Sequence, residues 1–225
     1  MSRRVRQALA FGLGGVAILV SLGVWQLQRL DWKLGVIAEL EAKLSAPPAP
    51  LPADPTEAED EYTRVAVSGR FLPGELHLLT SIRPWGPGFR VIAPFETETG
   101  RRVLVDRGYV PEARKDAPRD PGAAEVTGAL LWPDDAGWFT PDPDRDANIW
   151  FAREPGPMAE ALGTEPLLIV AETRAGEGEF PAPRPATANL RNHHLEYALT
   201  WFSLAAIWAV MTAVLLLRLR RRETA

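Results

Sequence analysis

The chain has no cysteine in 225 residues, and only three histidines and three methionines. Without thiols it can form no disulfide, so a domain facing an oxidising compartment has to be held together by its own core. The lack of Cys and the scarcity of Met also argue against copper handling by this chain alone, because soft copper sites want sulfur ligands. No glycine-rich phosphate loop, no G-x-S-x-G and no H-E-x-x-H occurs. His77 is the one histidine in the middle of the chain and sits in the alternating run ELHLL, which makes it an ordinary strand residue rather than the base of a Ser-His-Asp site. The aspartates of PDDAGWFTPDPDRD (133–146) lack the calcium-loop spacing and read as a solvated turn. The chain is therefore not expected to be an enzyme.

Charge is missing from two long runs: ALAFGLGGVAILVSLGVWQL (8–27) and YALTWFSLAAIWAVMTAVLLL (197–217). Each has the ~20 residues a helix needs to cross a hydrocarbon core of roughly 30 Å. The first run is too long for the apolar part of a secretory signal and ends in WQLQRLDWK instead of small residues, so an uncleaved anchor is expected. Arg3, Arg4 and Arg6 precede it, and Arg218, Arg220, Arg221 and Arg222 follow the second run. The positive-inside bias then gives cytoplasmic tails at 1–7 and 218–225, with 28–196 facing outward. Residues 28–192 carry 18 basic against 27 acidic side chains, a net charge near −9. So acidic a surface argues against nucleic acid as a partner and against clinging to anionic lipid headgroups.

Leu30, Leu34, Ile37, Leu40 and Leu44 recur at helical spacing, so the anchor helix is expected to continue outward as an amphipathic stretch. SAPPAPLPADPTEAED (45–60), with its five prolines, reads as a linker or draped loop. The period then changes to two. YTRVAVSGRF (62–71), ELHLLTSI (75–82), FRVIAPFET (89–97), RRVLVDRGYV (101–110), AEVTGALLW (124–132), NIWFARE (148–154) and PLLIVAET (166–173) predict short strands. TETG (97–100) suits a tight hairpin, and PGPMAEALG (155–163) is the one helical candidate among the strands. FPAPRPATANL (180–190) returns the chain to the second apolar run. The expected fold class is an α+β membrane protein: two transmembrane helices flanking an outward, mostly antiparallel β domain with one short helix.

RNHHLEYALTWF (191–202) places two of the three histidines where the second run begins. At about 100° per residue His194, Tyr197, Trp201, Leu204, Trp208 and Thr212 share one helix face. Two readings stand for the histidines. They could be a polar cap at the outer interface, beside an aromatic belt of Tyr197, Trp201, Trp25 and Trp32. Or an imidazole could ligate haem iron, with the aromatic face receiving a flat apolar macrocycle. Trp208 lies too deep for the belt and is expected to pack on a neighbouring helix or a ligand. Ala10, Gly14, Ala17 and Ser21 form a candidate seam of small residues on the first helix, and Ala198, Ala205, Ala209 and Thr212, or the adjacent Ala206 and Ala213, another on the second.

Three motifs in order along the chain, GVWQLQRLDWK (23–33), VDRGYVP (105–111) and RNHHLEYALTWF (191–202), resemble the Surfeit locus protein 1 family of cytochrome c oxidase assembly factors. The resemblance implies a protein that helps insert haem a into oxidase subunit I. It makes His194 the axial ligand of haem a, leaves His193 at a variable position, and finds Glu196 where the family usually has Gln. Tyr197, Trp201, Trp25 and Arg29 are the accompanying candidates; Trp25, Gln26, Arg29, Trp32 and Lys33 fall at the outer mouth of the first helix in the same layer as His194, with Arg29 or Lys33 suited to pair with a haem propionate or to anchor the helix. It implies as partners subunit I, the haem a synthesis enzymes and the lipid bilayer. A scaffold that holds subunit I without binding haem is the alternative. Arg107, Gly108 and Pro111 are read as fixing a strand end. With no transit peptide recognised, the expected location is a bacterial inner membrane, with both termini cytoplasmic and the central domain periplasmic.

Overall fold

The computed structural model describes residues 2–119, 122–174, 179–188 and 190–224. The ends of the two expected tails, at 1 and 225, and position 189 of the proline-rich return lie outside the described residues. The chain divides into two compact units, Met1–Glu39 with Asn189–Ala225, and Leu40–Ala188.

Helix α1 (Arg3–Ser45), of which the residues up to Glu39 belong to the first unit, is one helix of 43 residues that includes both the apolar run and its amphipathic extension. It stops just before Pro47 and Pro48, since proline lacks the N–H that would continue the ladder. Helix α4 (His194–Thr224) supplies the second apolar span. Both are long and apolar enough to cross a membrane. They run antiparallel, with Gly12 beneath Thr212, Gly15 beneath Trp208 and Gly23 beneath Phe202. A Cβ at any of the three would overlap the opposing side chain, so these glycines let the helices approach. The expected seam on the first helix is therefore misplaced. Gly14 meets nothing within 4 Å and Ala10 and Ser21 are exposed. Small residues line two faces of this helix, and the bulk of Phe202 and Trp208 selects the face that has notches for them. On α4 the seam residues Ala198 and Ala205 are buried, whereas Ala209 is exposed.

The second unit is built on β1 (Ala49–Pro50), β2 (Arg64–Phe71), β3 (Leu76–Ile82), β4 (Gly86–Thr97), β5 (Arg102–Pro111), β6 (Ala123–Leu131), β7 (Ile149–Trp150) and β8 (Leu168–Ala171), with short helices α2 (Glu57–Asp60) and α3 (Pro155–Leu162). The strand order is β1-β2-β6-β8-β5-β4-β3-β7 with a further β2–β4 pairing. That pairing, Gly69–Phe71 against Phe95–Thr97, closes β2, β6, β8, β5 and β4 into a ring. Alternating residues fill it: Val65, Val67 and Phe71, then Phe95, Val103, Val105, Val126, Leu130 and Ile169. Residues of the opposite parity, such as Leu76, Leu78, Ile92, Leu104, Leu168 and Val170, pack outside the ring with Met158 and Ala159 of α3. Two-sided burial is why residues of both parities in VLV (103–105) are apolar.

The sheet is mixed, not mostly antiparallel as expected: β1 runs parallel to β2, β7 to β3 and β8 to β5. Parallel partners meet only through long crossovers, which leave no local signal. The segment 148–154 contributes two strand residues instead of seven, because Asn148 takes φ 50° and the chain bends after Trp150 toward α3. The segment 45–60 is more than a linker, since Ala49 and Pro50 pair with Val65 and Ala66. TETG does form the hairpin, with Gly100 at φ 83° and its N–H donating to the Thr97 carbonyl at 2.9 Å. Helix α3 starts at its prolines and closes on Gly163 at φ 67°, as its sequence predicts.

Gly108 takes φ 111°, and a Cβ there would collide with the carbonyl of Ala182. Gly108→Ala should cost roughly 2–4 kcal/mol, combining backbone strain with overpacking. Gly100→Ala, which has open space around it, should cost only about 1 kcal/mol. Urea titrations of the two variants check the difference, and equal costs would rule out the Ala182 contact as the cause.

Candidate functional site

The site is assembled where the two apolar helices meet at the His194 end. His194 opens α4, and its backbone N–H donates to the side-chain oxygen of Asn192 at 3.3 Å. Asn192 thereby satisfies one of the free donors of the first helical turn. The His194 ring turns toward α1, with Nδ1 2.7 Å from Oε1 of Gln26. An amide oxygen only accepts, so Nδ1 carries a proton, and in the neutral ring Nε2 holds the lone pair. Nε2 has no partner among the described residues. Gln26 is buried, at 9% exposure, and has the His194 ring as its partner.

The neighbouring histidine is placed differently. His193 Nδ1 lies 3.2 Å from Glu196 Oε2, on side chains that are half and mostly exposed. Glu196 is thus engaged with His193.

Of the remaining candidates, Tyr197 and Trp25 are exposed at 56% and 50%, and Trp201 is half-buried. The Arg29 guanidinium lies 4.2 Å above the Trp32 ring, and Lys33 Nζ donates to the Arg191 carbonyl at 2.5 Å. Among the described residues the His194 ring bonds Gln26, with no bond from it to Tyr197 or Trp25. The sequence did hold a signal for Gln26: a neutral polar residue near the end of an apolar run is costly in lipid unless something bonds it.

Further along the helix pair, Gly15, Ile18, Leu19, Leu204, Ile207, Trp208 and Met211 line an apolar hollow of about 470 Å³. The Trp208 ring lies against Gly15 and 5.4 Å from the Phe11 ring, which meets the expectation that it packs on a neighbouring helix. Its Nε1 is buried and without a hydrogen-bond partner.

An apolar helix at each end, paired through glycine notches, with a mixed β domain between them in sequence, defines a class of helix-anchored β-domain proteins. A family model described as the SURF1 family matches residues 13–206. Surfeit locus protein 1 of Xenopus tropicalis is 34% identical over 209 residues, covering 83% of this chain and 68% of that protein. The protein of the same name from Homo sapiens is 34% identical over 208 residues, covering 82% and 69%. A SURF1-like protein of Monosiga brevicollis is 34% identical over 219 residues, covering 86% and 82%. The chain belongs to the SURF1 family.

Proposed function

We propose that this protein is a non-enzymatic assembly factor for cytochrome c oxidase that carries haem a on its paired helices and passes it to subunit I. The observation that carries the reading is the His194–Gln26 pair. A ligating imidazole needs a free nitrogen lone pair and a second-shell acceptor on its other nitrogen, and both are present. The residues also fit an apolar cargo, given the hollow lined by Gly15, Ile18 and Trp208. Haem a would supply an iron centre able to take an axial imidazole. The chain's own part is to hold that imidazole in one tautomer at the helix start. Arg29 is available to a propionate on leaving Trp32, and Tyr197, Trp201 and Trp25 flank the same layer.

The surroundings follow from the same helices. Phe11, Leu13, Ile18, Leu199, Ile207, Val210 and Met211 are each more than half exposed, which suits a lipid-facing surface. We place the protein in a bacterial inner membrane with both termini cytoplasmic and the β domain periplasmic, where it would meet subunit I and the enzymes that make haem a.

Purified from cells that make haem a, the protein should show a haem spectrum. His194→Ala should lose most of it and His193→Ala should keep it. Full haem in both variants would sink the ligation claim. Unimpaired co-purification of the haem-free His194→Ala variant with subunit I would favour the scaffold alternative.

A further inference from the structure

The VDRGYVP strand contains a β-bulge: Val91 pairs with Gly108 and Ile92 with Asp106, so Arg107 is the extra residue opposite no partner. Bulges re-aim a side chain out of the ladder's alternation. Here the Arg107 guanidinium lies 4.2 Å above the Phe71 ring, across the end of the ring-shaped core. It makes no ion pair among the described residues, although burial lowers its pKa from the ordinary guanidinium value, with Glu75 opposing that effect and Arg119 adding to it. A half-buried cation set over an aromatic ring and bonded to no carboxylate among the described residues is unusual for a structural arginine, which is normally paired.

The reason is visible beside it. Arg107, Arg119, Glu75, His77, Asp116 and Phe71 line a mostly polar cavity of about 290 Å³. Glu75 bonds both Arg119 and His77 Nε2. Asn148 Nδ2 faces His77 Nδ1 at 3.3 Å, so the imidazole is satisfied as a neutral ring. Asp116, on the rim, is paired with Lys115 at 3.1 Å. The described lining has two arginines and two carboxylates, but Glu75 is engaged by Arg119 and His77 and Asp116 by Lys115, so the Arg107 fork is the one left without a bonded carboxylate among the described residues.

We propose that this cavity is a binding site for an organic monocarboxylate, whose oxygens are gripped by the Arg107 fork with Arg119 reinforcing the field. One unpaired fork matches one carboxylate, because a guanidinium presents paired donors suited to two oxygens. Its place over the Phe71 ring keeps the guanidinium in the cavity lining before any ligand arrives. The site is separate from the haem reading and stands or falls independently of it.

The test uses the full chain in detergent at constant ionic strength, titrated by calorimetry with N-acetylglycine and, separately, with inorganic phosphate. Wild type should bind N-acetylglycine saturably and more tightly than phosphate. Arg107→Gln should weaken it at least tenfold, and Arg107→Lys, which keeps the charge but not the fork, should fall between. The wild-type titration decides the matter even where a variant folds poorly: no saturable N-acetylglycine binding overturns the site, and tighter phosphate binding overturns the carboxylate assignment. Unchanged affinity in a folded Arg107→Gln protein also overturns it.

Discussion

Replacing Asp106 with alanine should remove about 3–5 kcal/mol of stability from the β domain, the range expected when one member of a buried ion pair is deleted. Asp106 has no exposed surface. One carboxylate oxygen accepts from Arg90 Nε at 2.6 Å and the other from the Gly108 N–H at 3.0 Å. The Arg90 side chain is itself only 15% exposed, and its other contact is a 3.2 Å bond to the Arg184 carbonyl. Alanine would leave that guanidinium without its anion and the bulge N–H without an acceptor, and each orphan adds its own desolvation cost. The Asp106→Asn variant keeps a side-chain oxygen as acceptor for the Gly108 N–H, so its loss should be about half as large. Urea unfolding of the full chain in detergent, followed by far-UV circular dichroism, measures both. A loss below about 1 kcal/mol for alanine would mean that Arg90 finds another partner easily and that the pair is a minor support.

On the proposed haem reading, Gln26→Leu should reduce haem retention by about ten- to a hundredfold with His194 untouched, the usual scale for losing a second-shell partner of a metal-ligating histidine. Leucine nearly matches the volume of Gln26 but cannot accept from Nδ1. The ring would then be free to exchange tautomers and to rotate away from the productive orientation. A purely structural role for Gln26 would predict a lower unfolding midpoint with an unchanged spectrum of the haem that remains. The ligand-orienting role predicts a shifted spectrum at a nearly unchanged midpoint. His193→Ala is the control, because its ring bonds Glu196 and not α1. Equal haem affinity and an identical spectrum in Gln26→Leu would detach this residue from the site.

Much of the fold could be read directly. Two charge-free runs of membrane-crossing length became α1 and α4, and period-two alternation located β2 to β6 and β8 to within about three residues at each end. Gly163 and the prolines of 155–157 marked both ends of α3. What escaped was whatever depends on a partner far away in sequence. β1 is two residues in a proline-rich stretch and exists only because Val65 and Ala66 receive it. The parallel neighbours of β3 and β5 arrive through crossovers that local patterning does not encode.

The same division runs through the sites. His194 was conspicuous as one of three histidines, and its place at the helix start was evident from composition. Its orientation was not, because Gln26 lies 168 positions away in sequence and chooses the nitrogen that stays free. Arg107 looked like part of a strand-end motif. Gly108, with its positive φ, and Asp106, as acceptor and counter-ion, do have that structural role. The bulge between them lifts Arg107 out of it.

By itself the sequence determined the long helices, the positions of most strands and the family, because hydrophobic period and run length are local properties that follow from burial and backbone geometry. Only the tertiary structure decided which glycine face the helices share, how the strands close into a ring and which side chains lack a partner. Those depend on shape and charge meeting across long separations, and an unpaired guanidinium or a free imidazole nitrogen is defined by what the rest of the fold leaves beside it.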